Sequence, residues 1–120
     1  MPILEIEIVL KPKEILAEDL AGRLANSFAG IFRSRPHGTW VKLRTLDSSK
    51  YSENEADKGE LLYPIFITVL KSKLDEPTLE AEANELAEAA AEICDRPTEN
   101  VHILYLPEAQ GRIAFGGRLR

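Results

Sequence analysis

Residues 9–13 read VLKPK, and residues 69–73 repeat the pattern as VLKSK sixty positions later. A second pair of segments has nearly the same separation, since RPHGTWVKL at 35–43 is matched by RPTENVHIL at 96–104. Self-similarity at a constant spacing indicates a repeated structural unit. We therefore interpret the chain as a single domain that arose by internal duplication. The two halves lie at approximately 1–46 and 61–117.

The first half predicts a strand, a helix and a second strand. ILEIEIVL (3–10) is rich in β-branched and apolar residues, which favours a strand. Apolar residues then recur at helical spacing from Glu14 to about Arg33, which predicts an amphipathic helix. After SRPHG breaks this pattern, TWVKLRTL (39–46) alternates between two faces and predicts a strand that has Lys42 and Arg44 on one side.

The second half repeats this order of elements. LLYPIFITVL (61–70) predicts the third strand, a helix runs from about Pro77 to Asp95, and VHILYL (101–106) predicts the fourth strand. Residues 47–60 are polar and aperiodic, which indicates an exposed connection with room for a short hairpin. Because a crossover helix makes its two strands parallel, the sequence predicts an α+β fold of βαββαβ order. Its four-stranded mixed sheet would carry both helices on one face.

Composition and charge exclude several classes of function. The 120 residues are 44% hydrophobic and 29% charged, as in an ordinary globular domain, and the net charge of −5 argues against nucleic acid or an anionic membrane as partner. No apolar run is long enough to span a membrane, and Glu5 and Glu7 interrupt the apolar start in a way that a signal peptide does not. Cys94 is the single cysteine and is expected to be a buried thiol, so we predict a cytoplasmic protein.

The predicted sheet leaves one face without a helix. By strand alternation this face carries Trp40 and Leu104, and an apolar open face implies a partner. We therefore expect a homo-oligomer whose sheets face a common axis. A ferredoxin-like monomer with a half-exposed sheet has the same element order and remains an alternative.

Pro2 is the candidate reactive residue. The chain starts MPILEIEIVL (1–10), and methionine is usually removed when proline follows it. Pro2 would then carry a free secondary amine, and an α-amino group titrates close enough to neutral pH to act as a base. The alternative is structural, because proline also suits the first position of a strand.

The two ends of the chain together resemble the tautomerase superfamily. PEAQGRIAFGG (107–117) resembles the terminal hairpin of that family, and MPILEIEIVL (1–10) is similar to its catalytic proline and first strand. The length resembles that of members with two fused 4-oxalocrotonate tautomerase-like units. The resemblance implies a homotrimer whose three sheets form an inner barrel, and an active site near each Pro2 close to a subunit boundary. It also implies that neither a metal nor an organic cofactor is needed.

The resemblance implies a proton-transfer reaction on a small unsaturated 2-oxo or 2-hydroxy acid. Pro2 would be the general base, in a pocket where apolar walls and nearby cations disfavour its charged form. Cations would hold the substrate carboxylate and the dienolate intermediate, and the sequence leaves open which basic residue does so. The candidate substrate-binding residues are Lys42, Arg44, Arg35, His102, Ile113 and Phe115.

The sequence is also compatible with other functions. A hydratase or dehalogenase of the same superfamily would need a carboxylate to activate water, for which Glu5 and Glu7 are the acids near Pro2 in sequence. A non-catalytic trimeric scaffold or small-ligand binder would keep the fold without the reaction. A ferredoxin-like regulatory dimer is the third alternative. Pro64 is internal and has no free amine, so we expect one site per chain.

Overall fold

A computed structural model describes residues 1–56 and 63–120 of the chain. Two α-helices and a four-stranded sheet are followed by a short terminal hairpin. Three-residue 3₁₀ turns at Ser48–Lys50 and Thr98–Asn100 lie between the larger elements. In chain order these larger elements are β1 (Ile3–Leu10), α1 (Leu20–Phe32), β2 (Trp40–Asp47), β3 (Ile65–Leu70), α2 (Glu76–Cys94), β4 (Val101–Tyr105), β5 (Ala114–Phe115) and β6 (Arg118–Leu119).

The strands of the main sheet lie in the order β2-β1-β3-β4. β1 is parallel to β2 and β3 is parallel to β4, while β1 and β3 are antiparallel and join the two βαβ units. The predicted βαββαβ fold with a four-stranded mixed sheet is therefore confirmed. Ile3 lies opposite Trp40 on one side and opposite Leu70 on the other. The start of β1, the start of β2 and the end of β3 thus meet at one edge of the molecule.

The hydrophobic core lies between one face of the sheet and the two helices. Alternate residues of the central strands are fully buried, and α1 contacts β2 while α2 contacts β4. Phe28 of α1 and Leu86 of α2 are completely buried, and full burial of such a side chain contributes about 1.5–3 kcal/mol. Cys94 is buried as predicted, and its burial raises the pKa of the thiol to about 11.

The first helix is shorter than its apolar spacing predicts. α1 begins at Leu20 rather than at Glu14, so the prediction was wrong for the six residues 14–19. The Glu14 carboxylate accepts the backbone N–H of Lys11 and pairs with Arg96, which holds this segment in a turn. Ile15, in the middle of this segment, is 93% exposed.

The third strand also begins later than predicted. β3 starts at Ile65, immediately after Pro64, whose carbonyl accepts the backbone N–H of Val9. Residues 61–62 of the predicted strand lie outside the described residues. β2 extends to Asp47, the first residue of the predicted connection, and a 3₁₀ turn follows at Ser48–Lys50. No strand occurs at residues 48–56, so the short hairpin is not found in this described part.

The second face of the main sheet carries no helix within the described residues. Trp40 is 42% exposed and Leu104 is 61% exposed on this face, as the strand alternation predicted. We call this surface the open face. By register it is formed by Ile3, Glu5, Glu7, Trp40, Lys42, Arg44, Phe66, Thr68, Leu70, His102 and Leu104.

The chain ends in a tight hairpin, as the resemblance implied. β5 and β6 are antiparallel and are joined by Gly116 and Gly117. These glycines have φ values of +59° and +84°, the left-handed conformation that a two-residue type I′ turn requires at both positions. Within the described part of the chain, neither α-helix has the length and apolar character to cross a membrane.

Candidate active site

A pocket of about 610 Å³ lies where the chain enters β1. Pro2 is buried in its wall, and Met1 is 48% exposed at its rim. This volume is typical of a site for a small organic molecule. The remaining lining residues are Phe32, Arg33, Ser34, Arg35, Pro36, His37, Gly38 and Lys71.

One wall of the pocket is the segment Arg33–Gly38, which we call the arginine loop. Arg33 ends α1 in a left-handed conformation, with φ of +55°. The next turn is closed by a 2.8 Å hydrogen bond from the Gly38 N–H to the carbonyl of Arg35, with Pro36 and His37 at its centre. A Cβ at position 38 would lie 2.8 Å from that same carbonyl oxygen, so the turn requires glycine there. Arg35 is therefore presented on a well-defined turn.

Trp40 fixes the arginine loop to the sheet. Its backbone N–H donates to the carbonyl of Pro2 at 3.1 Å, and its indole N–H donates to the carbonyl of His37 at 2.8 Å. Phe115 of the terminal hairpin contacts the Trp40 ring edge-on, with centroids 5.5 Å apart. Phe115 and Ile113, two of the predicted substrate-binding residues, are not among the residues that line the pocket of a single chain. Their role in substrate binding stays a prediction.

Lys71 forms the opposite side of the pocket and was not among the predicted site residues. It follows the last residue of β3, which is antiparallel to β1, so it lies at the end of the sheet where Pro2 lies. Its Nζ is 2.8 Å from Glu82 of α2 and 5.2 Å from the centre of the Phe32 ring. The repeat of VLKPK as VLKSK contains this lysine, and antiparallel pairing of the two halves would have placed it beside Pro2.

Lys42 and Arg44 lie on the open face rather than in this pocket. Lys42 Nζ is 2.9 Å and Arg44 Nη2 is 3.1 Å from the carboxylate of Glu5 on the neighbouring strand. The hydrogen bond from Lys42 and its positive charge, together with that of Arg44, lower the pKa of Glu5. In a single chain these two cations therefore neutralise Glu5. Of the three predicted cations, Lys42, Arg44 and Arg35, it is Arg35 that lines the pocket with Pro2.

The two histidines occupy different places. His102 is exposed on the open face, where its ring lies 5.5 Å from that of Phe66, and it does not line the pocket of its own chain. It shares the face of Lys42, as predicted from the repeat. His37 lies in the arginine loop with φ of +64°, where it is exposed and lines the pocket.

The opposite end of β1 and β3 has counterparts of three pocket residues, Pro2, Lys71 and Arg35. Pro64 precedes β3 as Pro2 precedes β1, and Lys11 follows β1 as Lys71 follows β3. Arg96 lies five residues before the start of β4, just as Arg35 lies five residues before the start of β2.

The space beside Arg96 is filled by a carboxylate of the same chain, that of Glu14. Arg96, whose side chain is 1% exposed, donates from its two terminal nitrogens to the two oxygens of Glu14 at 2.7 and 2.9 Å. It also donates to the backbone carbonyls of Val9 and Tyr63, each at 2.9 Å. The hydrogen bond from Arg96 is the main cause of the lowered pKa of Glu14. Its counterpart Arg35 lines the open pocket instead.

A metal site would require several histidine, cysteine or acidic side chains close together. Across residues 1–56 and 63–120, no group of three or more histidine, cysteine or acidic side chains is arranged to hold a metal ion.

Solved structures share this fold at low sequence identity. Macrophage migration inhibitory factor from Oncomelania hupensis has a TM-score of 0.75 at 19% identity, over 100% of this chain and 82% of that chain. A fused 4-OT, described as an asymmetric trimer, has a TM-score of 0.77 at 15% identity, over 98% of this chain and 94% of that chain. A third protein, solved after inactivation by 2-oxo-3-pentynoate, has a TM-score of 0.75 at 15% identity, again over 98% and 94%.

These likenesses confirm the fold that the resemblance to the tautomerase superfamily implied. No family model matches the sequence, and no curated protein does.

Proposed function

We propose that this chain is a cofactor-independent tautomerase or isomerase that moves a proton within a small unsaturated 2-oxo or 2-hydroxy acid. The observation that carries the proposal is the pocket that brings Pro2 together with Arg35 and Lys71. Removal of Met1 would give Pro2 a free secondary amine inside this pocket. A base beside fixed cations is the arrangement that enolisation of an acid requires.

Arg35 is the residue proposed to bind the substrate carboxylate. Its counterpart Arg96 binds the Glu14 carboxylate through two parallel hydrogen bonds, the geometry that suits a guanidinium best. If the two units descend from one ancestor, Glu14 occupies the place that the substrate carboxylate takes beside Arg35. The duplicated position is then closed, and Pro64 is an amide without a basic nitrogen, so each chain has one site.

The reaction follows from these positions. The Pro2 nitrogen removes a proton from a carbon of a bound 2-oxo acid, or from the C2 hydroxyl of a bound 2-hydroxy acid. The electron pair left behind is delocalised over the conjugated system, which gives the same type of enolate or dienolate in both cases. Negative charge collects on the oxygen at C2, where a cation stabilises it. Protonated Pro2 then returns the proton to a different carbon, which releases the isomer and regenerates the base.

The proposed assembly is a homotrimer built through the open face. Trp40 and Leu104 would be buried against neighbouring chains, and Lys42, Arg44, His102 and Phe115 could then approach a neighbour's pocket. The fused 4-OT structure with this fold is described as a trimer, which supports the proposal. A cytoplasmic location remains a prediction.

Sedimentation velocity tests the trimer. The wild-type chain is expected to sediment at three times 13.4 kDa. Leu104→Glu is expected to shift the protein to monomer, because it introduces a charge into an apolar contact that would have to be desolvated. Ile15→Glu is the matched control, since Ile15 is also exposed but lies outside the sheet. A wild-type chain that sediments as a monomer or dimer would refute this assembly.

Covalent labelling tests the proposed function. 2-Oxo-3-pentynoate is a 2-oxo acid with a conjugated alkyne, and a neutral amine adds to that alkyne by forming an N–C bond while the alkyne carbon beside the carbonyl takes up a proton. The wild-type chain is expected to gain the mass of one reagent molecule, located on a peptide that starts at Pro2. The same chain with Met1 retained is the control, and it should carry no label on Pro2, because the Pro2 nitrogen is then an amide. Labelling elsewhere, or none, favours the alternative of a non-catalytic trimeric scaffold or ligand binder.

A further inference from the structure

Lys71 is held in place at the pocket wall by a side-chain relay. Glu82 Oε1 accepts from Lys71 Nζ at 2.8 Å, and Glu82 Oε2 accepts from the Tyr105 hydroxyl at 2.7 Å. The Lys71 and Glu82 side chains are only 22% and 17% exposed. Burial, and then the hydrogen bond to Glu82, raise the pKa of Tyr105, so it remains a neutral donor near physiological pH. Residues of α2 and β4 thus fix the ammonium group of Lys71, which directly follows β3.

This relay leaves the ammonium group with hydrogen-bonding capacity toward the pocket. A lysine has three N–H donors, and in the described part of the chain only Glu82 accepts one from Lys71. The same Nζ lies over the ring of Phe32, which also lines the pocket. A surface ion pair would be mobile and solvated, whereas this one is packed at a cavity wall.

The position of Lys71 relative to Pro2 follows from the strand order. β1 lies between β2 and β3, so Pro2 lies between the arginine loop on one side and Lys71 on the other. Neighbouring strands are about 4.8 Å apart, so one small acid could contact both flanks. Arg35 and Lys71 therefore offer two cations of different shape on either side of the proposed base.

We propose that Lys71 contacts the oxygen at C2 of the substrate, and that Glu82 and Tyr105 position it for this contact. The proposal rests on the proposed function of the same pocket. The planar guanidinium of Arg35 matches the two oxygens of a carboxylate, whereas an ammonium group is a compact point charge that suits a single oxygen. Charge develops at that oxygen during enolisation, so a fixed donor there stabilises the intermediate more than the bound ground state.

Binding of two matched acids tests this assignment without relying on turnover. Phenylpyruvate carries both the carboxylate and the oxygen at C2, and 3-phenylpropanoate lacks only that oxygen. Calorimetry on the wild-type chain is expected to show tighter binding of phenylpyruvate. Lys71→Met is expected to reduce this preference by about tenfold or more, the usual loss for a hydrogen bond to a charged group. Lys73→Met is the control, because Lys73 is exposed and does not line the pocket.

Glu82→Gln provides a second, nearly isosteric variant in case Lys71→Met folds poorly. It releases Lys71 from its position while keeping an acceptor for Tyr105, so it should also reduce the preference for the oxygen at C2. A merely structural role would lower the thermal midpoint and leave the preference unchanged. A wild-type preference that survives both variants overturns the role of Lys71 and leaves the proposed function intact. A wild-type chain that binds neither acid refutes the proposed function, and this proposal with it.

Discussion

Pro2→Ala is expected to lower kcat/KM for ketonisation of phenylenolpyruvate by about 10²-fold, at the low end of the range for a general base. The effect is at the low end because alanine, after removal of Met1, still presents a terminal amine. That amine is primary, lacks the ring that fixes its direction, and would sit differently in the buried wall of the pocket. The change in ultraviolet absorbance as the enol disappears measures the rate directly.

Retention of Met1 is the stronger form of the same experiment. A chain with Met1 in front of Pro2 has a non-basic amide nitrogen at that position, and its terminal amine is moved one residue away to the pocket rim, so the loss is expected to approach about 10⁴-fold. Intact mass of each preparation must accompany the rates, because incomplete removal of Met1 would mimic a weak enzyme. 2-Hydroxymuconate serves as a second substrate. Equal rates for the wild-type chain and the Met1-retaining chain would remove Pro2 from the mechanism.

The sequence alone predicted the fold better than it predicted the site. Period-2 and helical patterns identified the strands and helices, because each pattern reflects burial on one side of an element. The prediction that the first helix starts at Glu14 was wrong because of a contact with a residue that is distant in the sequence. Arg96, which captures the Glu14 side chain, is 82 residues further along the chain, and no local pattern reports that contact.

The positions of the site residues also depend on contacts between segments that are distant in the sequence. Strand alternation correctly put Lys42 and Arg44 on one face, yet it does not say which cation lies at the pocket end of the strand. Arg35 was a candidate because of its position in a loop, and the structure brings it to the pocket of Pro2. Lys71 was missed because its nearness to Pro2 depends on antiparallel pairing between the two halves.

Glu14→Ala is expected to reduce the free energy of unfolding by about 3–5 kcal/mol, because it leaves the buried Arg96 charge without its partner. The Arg96 side chain is 1% exposed, and its remaining hydrogen bonds go to neutral carbonyls that do not balance the charge. Urea unfolding at a fixed protein concentration measures the change, since assembly would otherwise add to the apparent stability. Glu88→Ala removes an exposed helix glutamate as the control and should change stability by less than about 0.5 kcal/mol.

The stability difference between the wild-type chain and Glu14→Ala is expected to depend on pH. Arg96 lowers the pKa of Glu14 below its ordinary value of 4.5, so the unfolded chain binds this proton more tightly than the folded chain. The contribution of the pair is therefore complete above about pH 4.5 and is lost as the pH falls through the lower folded pKa. The stability gap between wild type and Glu14→Ala should narrow in that acidic range. A gap that persists there would mean that Glu14 acts through packing rather than charge.

Formate distinguishes a carboxylate-binding position from an ordinary ion pair. Removal of the Glu14 side chain should leave a small space beside Arg96 that a free carboxylate can enter. Millimolar formate is then expected to restore part of the stability of Glu14→Ala, while chloride at equal ionic strength and the Glu88→Ala control show no such gain. Restoration would show that this fold binds a free carboxylate beside the arginine that precedes β4, which is what Arg35 is proposed to do before β2. If formate has no effect on Glu14→Ala, Arg96 is no template for Arg35, and the assignment of Arg35 would then rest on the pocket alone.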